Sequence, residues 1–262
     1  MRSQFCTYER IITEDAQKWA TELGYPNSLH RKVWEYIFIC QALDKYGFLK
    51  QGKSGLGFAV GTEPLASLFA SYGVSIVATD LDTDEAVEKG WQKTNEHAKN
   101  KEALNTRGLC EEKLFDKLVE FEFADMNSIP DHFDESFDFT WSACAFEHLG
   151  TLDKGIDFVC NSVKCLKPGG IAVHTTEYNV CSNSKTIEEG GTVIYRKQDL
   201  QRLVKKVRSL GYLIDDIDWD LGTSPVDYHI DIPPYKQNPH LKLQLLGYTT
   251  TSVGLIVHKP ML

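Results

Sequence analysis

The sequence predicts an α/β fold, a mostly parallel sheet with helices on both faces. Three observations support it. Short apolar runs alternate with stretches of helical period along most of the chain. Residues 55–82, GLGFAVGTEPLASLFASYGVSIVATDLD, read as strand, turn, helix, strand. An acid, Asp80, stands at the end of the second of these strands, about 20 residues after the turn, where a nucleoside-binding βαβ unit places one.

Within that unit, Gly55–Val60 is a short buried strand and Gly61-Thr62-Glu63 a tight turn. Pro64 suits the first helical position, where its missing N–H costs nothing. Leu65, Leu68, Phe69 and Tyr72 share one helix face, Gly73 ends the helix, and Ser75–Thr79 is the next strand. The small turn allows backbone to approach a ligand, and the Asp80 carboxylate can hold vicinal ribose hydroxyls. Gly55 and Gly57 begin a dinucleotide fingerprint, but Val60 stands where its third glycine is required.

The chain has 262 residues, 42% hydrophobic and 25% charged, enough for one large domain or two small ones. A net charge of −9 weighs against nucleic acid or anionic membrane as partner, both of which require a basic footprint. The first residues hold no apolar signal core, and no run reaches the ~18 apolar residues of a membrane span. Seven cysteines, odd in number and without CxxC pairing, predict a reduced, cytoplasmic protein. No feature decides between monomer and homodimer.

Residues 1–50 read as an N-terminal helical cap and 51–262 as one structural unit. Residues 11–23 form an amphipathic helix with Ile12, Ala16, Trp19 and Ala20 inward. Ser28 is an N-cap for a longer helix ending at Gly47, whose polar face carries His30, Arg31, Lys32 and Glu35. That face is either solvated or part of a lid over a bound ligand, in which Arg31 would meet a carboxylate. Asp82 and Asp84 lead into helical sequence holding Trp91 and His97, which packing explains. Lys117–Ala124 and Ser136–Ser142 are strands, and Leu152, Ile156, Val159, Val163 and Leu166 line a helix. Ile171–Thr176 is a further strand, running out at Glu177, Tyr178 and Asn179, where substrate contacts are expected. A polar loop, 180–192, and a helix with Leu200, Leu203 and Val207 follow. Leu213–Leu221 and Thr249–His258 close the sheet, with an insertion at 222–248 that could help enclose the substrate. In it, His229, Asp231 and His240 match no standard metal spacing, so no metal is expected.

Four segments in this order resemble the class I S-adenosylmethionine (SAM) dependent methyltransferases. GFAVGTEPLA, residues 57–66, resembles the acidic-x-Gly-x-Gly-x-Gly turn, with Gly57 at the acidic position and Ala59, Gly61 and Glu63 at the three glycines. Ala124-Asp125-Met126 follows the third strand, Ala143–Leu149 with its Glu-His-Leu follows the fourth, and Leu-Lys-Pro-Gly-Gly, 166–170, precedes the fifth. The resemblance spans roughly residues 52–258. It implies a Rossmann-like three-layer α/β/α sandwich, its seven-stranded sheet mostly parallel with an antiparallel last strand. It implies SAM as cofactor, held by Gly57, Ala59, Gly61, Glu63, Asp80, Leu81, Asp125, Met126 and Ser142. Asp125 would accept from the adenine amino group, Met126 lie beside the ring, and Ser142 meet the methionine end. The implied activity is methyl transfer to an O or N nucleophile of a small polar acceptor such as a sugar or metabolite. His148, Glu177 and Tyr178 are the candidate catalytic residues, and Arg31, Asn179 and His229 the candidate substrate contacts. The altered turn leaves a non-catalytic SAM-binding scaffold open, and a nicotinamide- or flavin-dependent oxidoreductase is the further alternative.

Overall fold

The computed structural model describes residues 1–82, 98 and 100–261. Asp84, Trp91 and His97 lie outside the described residues. Among the described residues, nine strands form one mixed sheet: β1 (Gln4–Phe5), β2 (Ser54–Gly57), β3 (Ser75–Asp80), β4 (Val119–Phe123), β5 (Phe137–Ala143), β6 (Leu166–Asn179), β7 (Leu213–Ile214), β8 (Leu243–Leu245) and β9 (Tyr248–His258). Their order is β1-β9-β6-β5-β2-β3-β4, with β7 and β8 also on β9. Strands β2 to β6 are parallel to their neighbours in that set and β9 is antiparallel to β6. Chain order reverses at β2, which lies between β3 and β5. The crevice beyond the strand ends at such a reversal is where open α/β sheets bind ligands.

The helices are α1 (Tyr8–Ile11), α2 (Glu14–Glu22), α3 (Arg31–Lys45), α4 (Leu65–Ser71), α5 (Glu112–Leu118), α6 (Leu152–Ser162), α7 (Lys197–Ser209) and α8 (Pro225–Tyr228). The period-two alternation of the strands assigns them to two layers. Phe139, Trp141, Ile171, Val173 and Ile256 pack with Trp34, Phe38 and Phe69 of α3 and α4. Ala172, Leu255 and Val257 face Phe158, Val159, Leu200 and Leu203 of α6 and α7.

Local chemistry shifts several boundaries. Thr13 caps α2 through its hydroxyl, so Ile12 falls before the helix and is exposed while Ile11 is buried. His30, not Ser28, caps α3, its Nδ1 accepting from Lys32 N at 3.1 Å. The strand expected from Leu213 stops at Ile214, because β1 takes the next rungs of β9, at Gly254 and Val253, and β8 those beyond. These three short strands cover the outer edge of β9, which would otherwise present unpaired backbone. With β1 and β8 the sheet exceeds seven strands. The first 50 residues therefore supply a strand of the sheet and, through α3, part of its core. No helix among the described residues is long and apolar enough to cross a membrane.

Candidate active site

The site is built at the C-terminal ends of β2 to β5. Past β2 the backbone stays tethered to its neighbours, Phe58 N donating to Trp141 O at 2.9 Å and Val60 N to Thr79 O at 3.0 Å. The turn from β2 to α4 takes Ala59, between the two tethers, and Gly61, just past them, to φ +48° and +52°. The alanine there carries a small strain that glycine would not. The Asp80 carboxylate locks this turn: it accepts from Gly61 N at 3.1 Å, Leu81 N at 2.8 Å and Ala98 N at 3.0 Å. A charged acceptor satisfying three backbone donors fixes the strand ends relative to one another.

Beyond these ends lies a pocket of about 330 Å³. Of the residues expected to hold the cofactor, Ala59, Gly61, Glu63, Asp80, Leu81, Asp125 and Met126 line it. Asp125 sits in an Asx turn, its Oδ1 accepting from Asn127 N at 2.8 Å. Gly57 and Ser142 lie elsewhere. Gly57 is pressed on the Trp141 indole, where an added Cβ would come within 2.3 Å of Cζ2. Ser142 is fully buried and bonds His174 Nδ1 at 2.8 Å. His174 Nε2 is 2.8 Å from Ser162 Oγ, whose own proton goes to Val159 O. His174 therefore carries its proton on Nε2 and accepts from Ser142 on Nδ1. Burial pulls its pKa down to about 3.

His148 lines the pocket. Its Nδ1 is 2.8 Å from Gly191 O, a pure acceptor, and 3.2 Å from Thr192 Oγ1. Nδ1 therefore carries a proton, and in the neutral ring Nε2 is the acceptor nitrogen, 4.0 Å from Glu147 Oε1. The loop at 180–192, expected to fold over the site, supplies this carbonyl and also donates Gly190 N to Gly150 O at 2.9 Å.

Glu177 and Tyr178 point to opposite faces of β6, as neighbours on a strand must. Tyr178 packs on Phe5 at 4.5 Å between ring centroids, in the layer of α6 and α7. Glu177 turns toward α3 and pairs with Arg31 Nη2. Arg31 Nη1 is 3.1 Å from Ser252 Oγ, 3.4 Å from Glu35 Oε1 and 3.4 Å from Cys144 Sγ. The polar face of α3 is thus buried against the strand ends, with Glu35 fully inaccessible. Burial pushes the Glu177 carboxyl up to about 7 against the pull of Arg31. Glu35 is held below the usual carboxylate range, because Lys32, Arg31 and bonds from Ser252 and Cys144 outweigh its burial. Cys144 Sγ and oxygens of Glu147 and Glu177 come within 4.8 Å of one another, a grouping in which a metal would fit, but the Arg31 guanidinium already supplies the cation there.

Asn179 is buried and anchors the loop, donating to Lys185 O at 3.0 Å and accepting from Cys181 N at 3.1 Å. His229 is exposed in the insertion. That insertion clamps the start of α3: His240 stacks on His30 at 4.5 Å, with Asp231 Oδ2 2.7 Å from His240 Nδ1. The sequence reading missed Tyr25, Lys32 and Tyr36 on the pocket wall, and Arg107 at its rim, stacked on Tyr25. Lys32 joins α3 to the turn, with Nζ 2.9 Å from Glu63 Oε1 and 2.7 Å from Ala143 O.

The groups present suit a nucleoside sulfonium amino acid. The turn admits close approach, Asp125 and Met126 stand on one side, and Glu63 Oε2 is buried without a partner among the described residues. Residues 56–174 match the family model of a methyltransferase domain. No curated protein matches in sequence. Among solved structures, the chain is similar to a proposed sarcosine dimethylglycine methyltransferase from Galdieria sulphuraria, at 16% identity and TM-score 0.52 over 95% of this chain and 99% of that one. It is also similar to phosphoethanolamine N-methyltransferase 2 of Haemonchus contortus in complex with SAM, at 16% identity and TM-score 0.53 over 96% of this chain and 58% of that one. The cyclase SpnF shares the fold at 16% identity and TM-score 0.54, over 85% and 81% of the two chains. Residues 56–174 thus match a methyltransferase domain, and the chain shares its fold with a methyltransferase solved in complex with SAM.

Proposed function

We propose that this pocket methylates an O or N nucleophile of a small polar acceptor, with His148 as the general base. The observation that carries the proposal is the orientation of His148: Nδ1–H donates to Gly191 O, so in the neutral ring Nε2 is the acceptor nitrogen, and the ring lines the pocket. SAM, when bound, supplies a methyl group on a positively charged sulfur leaving group. The protein's task is then positioning, which can lower a barrier by several kcal/mol, and removal of the acceptor's proton. Asp125 and Met126 would hold the adenine, the Gly61 turn and Asp80 the ribose, and Glu63 the methionine end. Tyr25 and Tyr36, from the segment before α3 and from α3 itself, narrow the pocket, and its size is at the low end of small-molecule sites, which run to about 1,000 Å³. The net charge of −9 adds to the case against nucleic acid.

Glu177 and Tyr178 are engaged away from the pocket wall, with Arg31 and Phe5, which leaves His148 as the stronger candidate base. Shared fold alone does not decide the reaction, since a cyclase has it too. The test is transfer of labelled methyl from SAM to a panel of small alcohols, sugars and amines beside tRNA and protein. Turnover on a small acceptor, falling about 100-fold or more in His148→Gln as loss of a general base does, is the expected result. Turnover only on a macromolecule would overturn the acceptor class. Tight binding of S-adenosylhomocysteine without turnover on any acceptor would favour a scaffold.

A further inference from the structure

The turn that carries His148 does not itself set the orientation of the ring. The carbonyl that does so, Gly191 O, stands 43 residues further along, in the loop after β6. The tip of that loop is Gly190-Gly191, with Gly190 at φ +114°, the most freely moving kind of backbone. Its arms close on each other, Ile194 N donating to Ile187 O at 3.0 Å and Thr186 Oγ1 to Ile194 O at 2.6 Å. The closed loop lies against the segment after β5. Val193 N donates to Glu147 O at 2.9 Å, Gly190 N to Gly150 O at 2.9 Å and Leu152 N to Glu188 O at 3.2 Å. One cation ties it to the rest of the fold. Arg196, 6% exposed at the start of α7, donates from Nη1 to Ser184 O at 2.8 Å and pairs through Nη2 with Glu188 Oε1 at 2.8 Å.

We infer that Arg196 is a positioning residue for His148, acting through Glu188 and the glycine tip to hold Gly191 O against Nδ1. This rests on the reading of His148 as base and adds to it what keeps that base in register. The guanidinium is itself rigidly placed: Nε donates to Asp199 Oδ2 at 2.7 Å and Nη2 to Asp199 Oδ1 at 3.2 Å, and Asp199 also accepts from Arg196 N at 3.0 Å. Asp199 belongs to α7, whose Leu200 and Leu203 are in the core. A planar fork of five donors can thus grip a helix on one edge and a loop on the other, which a lysine cannot do. Glu188 is held at both ends, its carbonyl by Leu152 N and its carboxylate by Arg196, three residues before the carbonyl that matters. If Gly191 O left, nothing in the loop would keep the proton on Nδ1, and a neutral ring protonated on Nε2 has no lone pair there to take a proton from an acceptor. The Glu188 carboxylate is 60% exposed, so its pair with Arg196 adds little to stability, and its loss should show at His148 before it shows in Tm.

The test is nitrogen NMR of the intact chain, labelled in its histidines and held at a pH where the ring is neutral, with His148 assigned by its loss in His148→Gln. Protonated and bare ring nitrogens give well-separated signals. The wild type is expected to show Nδ1 protonated and Nε2 bare. Glu188→Ala removes the exposed carboxylate, and Arg196→Lys keeps the charge without the fork. Both are expected to move the Nε2 signal toward the protonated position as the second tautomer appears, with S-adenosylhomocysteine bound as in wild type. On an acceptor from the panel above, kcat should fall roughly ten- to hundredfold at unchanged KM, as it does when a reacting group is slightly misplaced. If Arg196→Lys does not fold, Glu188→Ala decides. Wild-type His148 signals in the folded variants would make Arg196 a clasp for the loop alone and overturn the assignment, even where Tm falls. Full methyl transfer by His148→Gln would instead remove the reading of His148 as base, and with it the role of Arg196 as its positioning residue.

Discussion

Gly57→Ala separates packing from binding at the mouth of the glycine turn. The added Cβ would sit 2.3 Å from Trp141 Cζ2 and 2.6 Å from Val60 Cγ1, where ordinary contacts begin near 3.4 Å. The indole has little room to retreat. It is fully buried, with Phe69 edge-on at 5.2 Å and Phe139 tilted at 5.9 Å. Moving it by about 1 Å forces off-rotamer side chains of the kind that cost ~1–3 kcal/mol, and the rigid double ring puts this site at the upper end. In a chain of this length each kcal/mol lowers Tm by about 2–4 °C, so a drop of roughly 6–12 °C is expected. Urea unfolding should show a lower midpoint at unchanged slope. S-adenosylhomocysteine affinity, measured well below the new Tm, should stay at the wild-type value, because Gly57 faces Trp141 and not the pocket. A variant as stable as wild type but binding about tenfold more weakly would refute the reasoning and return Gly57 to the cofactor site.

The other predictions concern buried charge. His174, neutral in the fold with a pKa of about 3, takes up a proton near 6.5 once unfolded. Its contribution to stability is whole above pH 6.5 and is lost as pH falls toward 3, at up to about 1.4 kcal/mol per unit. Urea midpoints at pH 7 and 4.5 should therefore diverge more in wild type than in His174→Gln; equal divergence would show that the histidine is not held neutral. Glu177, raised to about 7, acts in the opposite sense: it costs stability as pH rises from the usual 4.5 to 7, and Glu177→Gln should flatten that limb in the same series. Arg31→Met strands Glu177 and Glu35 and should cost about 3–5 kcal/mol in urea unfolding, with part recovered in the double variant with Glu177→Gln. A single-variant cost below about 1 kcal/mol, the range of exposed pairs, would mean that the cluster is solvated. Asp80→Ala should both lower Tm and weaken S-adenosylhomocysteine, since three backbone donors lose their acceptor, each such charged bond being worth about 1.5–3 kcal/mol. Asp125→Ala, whose structural bonds are local to Asn127, should weaken binding with Tm retained; a matching loss of Tm in both variants would contradict that division.

What the sequence displayed was whatever is encoded locally. The alternation of β5 and β6, the turn after β2 and the acid ending β3 follow from period and punctuation, and they place the pocket correctly at the strand ends. What stayed hidden depends on distant partners. His30, Arg31, Lys32 and Glu35 form a polar helix face that reads as solvated, because nothing near them in sequence announces Glu63, Cys144, Glu177 or Ser252. Ser142 ends a strand and reads as a ligand contact. It is committed instead to His174, a buried histidine whose hydroxyl partners come from two other elements. One correction was available from the pattern alone. Glu177 and Tyr178 are consecutive on a strand, so they could not both reach one site, and Ile171 and Val173 already put the odd-numbered side chains on the layer of α3.

The same alternation explains why α3 cannot be treated as a detachable lid. Glu177 is on the α3 side of β6 and needs a cation there; Arg31 is that cation, and it brings Glu35 one turn along. Lys32, the next residue, is thereby carried round the helix onto Glu63 and Ala143 O at the pocket wall. The helix is held at its start by His240 against His30, and through its length by an apolar stripe that includes Ile37 and Phe38. Register along α3 thus sets where Nζ stands to within the reach of one hydrogen bond. A substitution that slid or tilted the helix would disturb the pocket through Lys32 without touching any residue of the segment 56–174 that matches the methyltransferase model.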